Sequence, residues 1–172
     1  MSDRLKALIR DIPDFPKPGI LFKDITTLLA DGPAFAHAID LLAERYQGKG
    51  IDRVVAMEAR GFILGAPLAV RLGAGFVPVR KKGKLPHATI EETYALEYGK
   101  DTLQMHQDAL IKGHRVLVVD DVLATGGTAA AVARLIGQLE AEIVEVAFLM
   151  ELGFLHGREK LSGIPTFSLI EY

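Results

Sequence analysis

The sequence predicts an α/β fold: a mainly parallel sheet with helices on its faces. Three observations carry that expectation. Arg115–Asp120 is a buried-type strand, and a Gly-Gly turn, an Ala-rich helix (Thr128–Leu139) and another strand (Ile143–Leu149) follow it. Val-rich Ile51–Met57, followed by apolar, helix-like Gly61–Leu72, repeats the alternation. The chain has 172 residues, the length of one domain with a sizeable core. Strand–helix–strand units in succession close right-handed around parallel strands.

The elements follow in order. Leu5, Leu8, Ile9 and Ile12 stand at helical spacing, so Ser2–Ile12 reads as a first helix, capped by Ser2 or Asp3 and ended by Pro13. Asp14–Gly19 holds Pro16 and Pro18 and reads as irregular loop. A second helix starts at Pro33, buries Phe35, Ile39, Leu42 and Tyr46, and stops at Gly48. Pro67 should distort the helix after Ile51–Met57 unless it falls in an early turn, because proline lacks the N–H and crowds the preceding turn. Phe76–Arg80 reads as a short strand and Lys81–Glu92 as a loop. Tyr94, Leu96 and Tyr98 alternate with Ala95 and Glu97, as in a half-exposed strand, and Leu103 and Met105 continue it as a hairpin across Gly99-Lys100. Phe167–Ile170 is the last strand.

Composition narrows the function. The net charge is −2, far from the basic excess of a general nucleic-acid binder. The absence of Cys excludes disulfides, thiolate metal sites and a cysteine nucleophile. The charged N-terminus, MSDRLKALIRDIPDFP, has neither a signal-peptide core nor a membrane-spanning run. The expectation is a cytoplasmic enzyme or binding protein with no membrane and no nucleic-acid partner. His37, His87, His106, His114 and His156 show no metal-ligand spacing.

In parallel α/β sheets ligands bind beyond the carboxyl ends of the strands, so the segments after Met57, Arg80 and Asp120 carry the interest. The third reads Asp120-Asp121-Val122-Leu123-Ala124-Thr125-Gly126-Gly127-Thr128. Its helix start offers free backbone N–H groups and the positive end of a dipole, which favour an anion. Gly126 and Gly127 let the backbone close on a phosphate, and Thr125 and Thr128 add hydroxyl donors. The two carboxylates suit hydroxyl groups or a metal-bound water instead. A ligand with a phosphate at one end and a diol beside it is a ribose 5-phosphate. The string is not a Walker A loop, and no G-x-G-x-x-G occurs.

Residues 118–128 resemble the phosphoribosyl pyrophosphate (PRPP) motif of the type I phosphoribosyltransferases. Phe15-Pro16-Lys17-Pro18-Gly19-Ile20-Leu21-Phe22-Lys23-Asp24-Ile25 resembles the base-binding segment of the family's adenine-specific branch. Glu58-Ala59-Arg60-Gly61-Phe62, Leu96-Glu97-Tyr98-Gly99-Lys100 and Gly157-Arg158-Glu159-Lys160-Leu161 match as well, so the likeness runs from Phe15 to Tyr172. It implies a type I phosphoribosyltransferase fold: a twisted, mainly parallel sheet, a small N-terminal hood within residues 1–35 and a flexible loop and hairpin at 81–106, all in one domain over 1–172.

The implied reaction is adenine + PRPP → AMP + pyrophosphate, a step of purine salvage. The resemblance assigns the 5-phosphate to Ala124, Thr125, Gly126, Gly127 and Thr128, and the ribose hydroxyls to Asp120 and Asp121. Mg²⁺ is expected on PRPP oxygens and water, with no direct protein ligand. Arg60 takes the pyrophosphate-loop position, next to a cis peptide expected at Ala59–Arg60. The basic run Arg80-Lys81-Lys82-Gly83-Lys84 is by itself a solvated loop; in this family Arg80 and Lys84 face pyrophosphate. Glu97 is the acid or base toward the purine, or else an exposed strand glutamate. Leu21, Phe22 and Lys23 take adenine, with Phe22 stacking and the backbone of the other two reading the base edge; a Phe between Leu21 and Ile25 also suits a core. A backbone acceptor for the 6-amino group rejects 6-oxopurines by leaving a polar group unpaired. The family is typically homodimeric. A xanthine, hypoxanthine or orotate enzyme, or a PRPP-sensing domain without chemistry, are the alternatives.

Overall fold

The computed structural model describes residues 2–95 and 99–172. Helix α1 (Ser2–Lys6) leads into a two-stranded antiparallel ribbon, β1 (Arg10–Pro13) with β2 (Leu21–Asp24). Helices α2 (Thr26–Ala30) and α3 (Gly32–Tyr46) follow. Then come β3 (Arg53–Met57), α4 (Arg60–Leu72), β4 (Gly75–Lys81), β5 (Thr89–Ala95), β6 (Lys100–His106), β7 (Arg115–Leu123), α5 (Gly127–Gln138), β8 (Glu142–Glu151) and β9 (Thr166–Glu171). The main sheet runs in the order β5-β6-β4-β3-β7-β8-β9. β4, β3, β7, β8 and β9 are parallel neighbours, and the β5–β6 hairpin joins antiparallel to β4.

Two apolar layers hold this sheet. Leu117 and Val119 of β7 face one layer, with Ile39, Leu42, Leu64 and Leu68. Val116 and Val118 face the other, with Val132, Leu135 and Ile136 of α5. Burial on both faces is why these strands read as continuous apolar runs rather than alternating ones.

Four expectations need correction. The first helix stops at Lys6, not Ile12, and residues 10–13 are strand. Leu5 and Ile9 are still buried, but Arg10 pairs with Asp24 and Lys23 with Asp11, each at 2.6 Å, across the ribbon. Pairing to a distant segment overrides local periodicity there. Pro67 does not break α4, which is continuous from Arg60 to Leu72. Ile63, whose carbonyl loses its donor to Pro67, lies on the exposed face, where water can replace it. The loop after β4 is shorter than 81–92, because β5 begins at Thr89. Finally, β7 runs through Asp120 and Asp121 to Leu123 and stays paired with β8 to the end. Its pairing with β3 stops at Ala56↔Val119, so the two aspartates occupy a strand with one side open.

Candidate active site

That open side is where the site forms. Two helices start at the carboxyl ends of neighbouring strands, α4 after β3 and α5 after β7. Neither has a side-chain N-cap: Ala59 and Gly126 occupy the cap positions without a side-chain bond. In α3, by contrast, the Asp31 carboxylate accepts the Ala34 N–H at 3.0 Å. The helix starts that flank the site thus keep their first N–H groups unclaimed by side chains, as an anion requires.

Between these two turns lies a cavity of about 340 Å³. Arg60, Asp120, Asp121 and all of Ala124–Thr128 line it. Glycines set its shape at two points. A Cβ on Gly61 would stand 2.8 Å from Asp120 Oδ1, so only glycine lets α4 start this close to β7. Gly126 has φ +78° and packs on Gly157, whose carbonyl any Cβ at 126 would strike. Gly157 in turn lies against the Ala124 carbonyl and Leu123, so the 3₁₀ segment Gly157–Leu161 buttresses the 124–128 loop from behind.

The two carboxylates differ. Asp121 is buried, and its Oδ2 lies 2.6 Å from Arg60 Nε in an ion pair without an aligned hydrogen bond. Burial raises its pKa while Arg60 opposes the rise. Asp120 Oδ1 accepts the Asp121 N–H at 2.9 Å. Burial, reinforced by the charge of Asp121, pushes the Asp120 carboxyl well above the usual range, so this member of the pair holds its proton longer.

Arg80 and Lys84 stand one contact back. Both close on Glu58, a cavity-lining carboxylate: Arg80 Nε donates to Oε2 at 2.7 Å, and Lys84 Nζ lies 3.0 Å from Oε1. The Lys81 N–H donates to the same Oε1 at 3.2 Å. Burial pushes the Glu58 carboxyl up, but Lys84, Arg80 and that N–H together bring it below its ordinary value. The cis peptide lies at Glu58–Ala59, one bond before the position expected, and Phe15–Pro16 is also cis.

Phe22 reaches the site through Arg60, whose guanidinium carbon lies 5.5 Å from the ring centroid. Phe15 packs edge-on against the same ring at 5.2 Å. Phe22 is only partly buried and belongs to neither apolar layer, so the core alternative fails. Leu21 is exposed. Lys23 sends its ammonium to Asp11 and to the face of Tyr172, 4.0 Å from the centroid, leaving only its backbone for other work. Glu97 lies outside the described residues. Among those described, Lys81, Tyr94 and Asp101 also line the cavity, which the sequence reading missed. Lys81 sat in the basic run; Tyr94 read as one residue of a half-exposed strand. No group of three or more His, Cys, Asp or Glu side chains suited to a metal occurs among the described residues.

Comparison with known proteins places the chain in a family. Residues 24–164 match the model of the phosphoribosyl transferase domain. The chain belongs to the phosphoribosyltransferase family. Its relatives then specify the branch. An adenine phosphoribosyltransferase from Geobacter metallireducens is 61% identical over 170 residues, 99% of each chain. The crystal structure of the Thermoanaerobacter pseudethanolicus adenine phosphoribosyltransferase superposes with a TM-score of 0.97 at 53% identity, covering 100% of both chains. The Saccharomyces cerevisiae enzyme, complexed with D-DIAB and adenine, gives 0.93 at 44% identity, covering 98% of this chain and 97% of its own. Among phosphoribosyltransferases, this sequence falls with the adenine-specific enzymes.

Proposed function

We propose that the chain moves the 5-phosphoribosyl group of PRPP onto adenine N9, giving AMP and pyrophosphate. The C1–N9 bond forms, the C1–oxygen bond to pyrophosphate breaks, and N9 gives up its proton. The observation that carries this reading is the meeting, in one cavity, of an anion-ready helix start, a paired carboxylate and an arginine that touches an aromatic ring. Relatives of the same length bear the name of that activity.

Ala124, Thr125, Gly126, Gly127 and Thr128 hold the 5-phosphate through backbone N–H groups and hydroxyls. Asp120 and Asp121 accept the ribose hydroxyls, and the charge of the ionised member favours the cationic sugar that develops as the leaving group departs. Arg60 holds pyrophosphate. Arg80 and Lys84 join it by exchanging Glu58 for the more highly charged ligand. Phe22 stacks on adenine, and backbone groups of Leu21 and Lys23 read its edge. Glu97 accepts the N9 proton.

Adjacent carboxylate oxygens at the cavity wall fit a hard cation, so Asp120 and Asp121 are the residues that would meet Mg²⁺ or its waters. Bound with PRPP, Mg²⁺ would supply charge neutralisation at the leaving pyrophosphate. The exposed Ile63, Val70 and Phe76 on α4 and β4 suit the contact of a homodimer. Residues 1–172 act as one domain, with 1–35 as hood and 81–106 as loop and hairpin, in a cytoplasmic enzyme.

The test is product formation from PRPP and Mg²⁺ with adenine, hypoxanthine, xanthine and orotate in parallel. AMP from adenine, with the other bases at least about a hundredfold slower, is expected. Equal turnover of hypoxanthine would defeat the adenine assignment. Replacing Glu97 with Gln tests the base: kcat should fall about 10²-fold.

A further inference from the structure

Tyr94 has no part in the roles above, yet it lines the cavity and its phenol meets a residue assigned to the phosphate. Tyr94 Oη lies 3.3 Å from Thr128 Oγ1. Thr128 is the second residue of α5, in the helix's first turn. A threonine hydroxyl there rotates freely among several partners, including backbone oxygens. It donates usefully to an anion only when its proton points outward.

The phenol biases that orientation. A phenol, with its pKa near about 10, is a better hydrogen-bond donor than an aliphatic alcohol, and the alcohol oxygen is the better acceptor. Either oxygen can donate across this contact; with the phenol, the stronger donor of the two, donating, Thr128 Oγ1 accepts. In that arrangement the Thr128 proton is free for an anion in the cavity that Thr128 lines, and the bond behind it polarises it.

The ring is held firmly for this work. Tyr94 is buried, and its β5 backbone is paired with Asp101 of β6. Its edge sits over Gly127, with Cδ2 3.6 Å from where a Cβ would stand. Two residues earlier on the same strand face, Glu92 ties β5 to α5 by accepting from Arg134 Nε at 2.6 Å and Gln138 Nε2 at 3.4 Å. The strand is thus bound to α5 at Glu92 and at Tyr94.

We infer that Tyr94 is a positioning residue: through its hydroxyl it aims the Thr128 hydroxyl at the 5-phosphate of PRPP. The inference rests on the reading that the α5 helix start binds that phosphate. It assigns Tyr94 no contact with adenine or pyrophosphate.

The experiment compares Y94F, T128V and the double variant with the unaltered enzyme. The readouts are KM for PRPP, KM for adenine, kcat, and direct calorimetric affinity for ribose 5-phosphate. Y94F removes one oxygen and keeps the ring, so the melting temperature reports whether packing survives. The expected result is a rise of about three- to tenfold in the PRPP KM and in the ribose 5-phosphate Kd, with adenine KM unchanged and kcat within about twofold. The double variant should be no weaker than T128V alone, because Tyr94 acts only through Thr128. If T128V weakens ribose 5-phosphate binding and Y94F does not, the inference is overturned and the phosphate site stands. Multiplicative losses in the double variant also overturn it, since Tyr94 then acts independently. If T128V has no effect, the Thr128 hydroxyl has no role at the phosphate and the inference falls, while the backbone cradle at the α5 start stands; that cradle is tested by loss of ribose 5-phosphate binding in Gly126→Ala.

Discussion

Two strand-to-helix turns face each other across the cavity, and they solve the same geometric problem with opposite chemistry. Both follow a parallel strand, and both helices start without a side-chain cap. The β7–α5 turn is made of small residues and hydroxyls, so its backbone is the reagent. The β3–α4 turn is made of charged side chains already paired: Glu58 with Arg80 and Lys84, Arg60 with Asp121. On the proposed reading, the first grips a compact dianion that varies little in position. On the same reading the second binds a group that must leave, and side-chain ion pairs can open and re-form where a backbone cradle cannot.

The largest effect should come from stiffening the backbone cradle. Gly126→Ala forces a Cβ into the Gly157 carbonyl at φ +78°. It should cost about 3 kcal/mol, roughly 6–12 °C in melting temperature, and remove most PRPP turnover. Calorimetry alongside the activity assay separates the two losses. A melting temperature unchanged by this variant would mean that the 124–128 loop shifts to accommodate the added methyl.

The carboxylates between the turns give a pH signature. Asp120 keeps its proton in the folded chain at pH values where the unfolded chain has released it. The folded state therefore binds more protons, and stability falls as pH rises from about 4 through the raised native value. Asp120→Asn should flatten that decline in ligand-free melting curves and raise stability near neutrality while lowering turnover. A decline as steep in the variant as in the parent would place the proton elsewhere.

The smallest expected effect distinguishes two neighbours on β2. Phe22→Ala should raise the adenine KM about tenfold and leave the PRPP KM alone, because it removes a stacking face. Lys23→Ala should change the adenine KM by less than about twofold, since its ammonium is engaged with Asp11 and Tyr172. Equal effects from both would move base recognition off the Phe22 ring.

What was readable from the sequence follows the same division. The β7–α5 turn is local: strand, small residues and helix are contiguous, so Asp120 to Thr128 announce themselves. The charged partners of the β3–α4 turn are set by register. Met57 pairs with Val79, which puts the next residues, Glu58 and Arg80, side by side from different parts of the chain. No spacing rule within one segment reveals that Arg80 and Lys84 share Glu58. The same reason hid the ribbon at residues 10–13, whose partner lies beyond two prolines, and the role of Tyr94, which depends on β5 lying along α5.

The contact between Gly126 and Gly157 has an evolutionary edge. A Cβ at 126 would strike the Gly157 carbonyl, one at 157 would strike the Ala124 carbonyl and Leu123, and both residues are already the smallest available. No compensating change at one can rescue a substitution at the other, so the pair forms a dead end for stepwise drift. A directed-evolution campaign seeking PRPP analogues altered at the 5-position should therefore spare both glycines and randomise Thr125 and Thr128, where the loop carries side chains that can be exchanged.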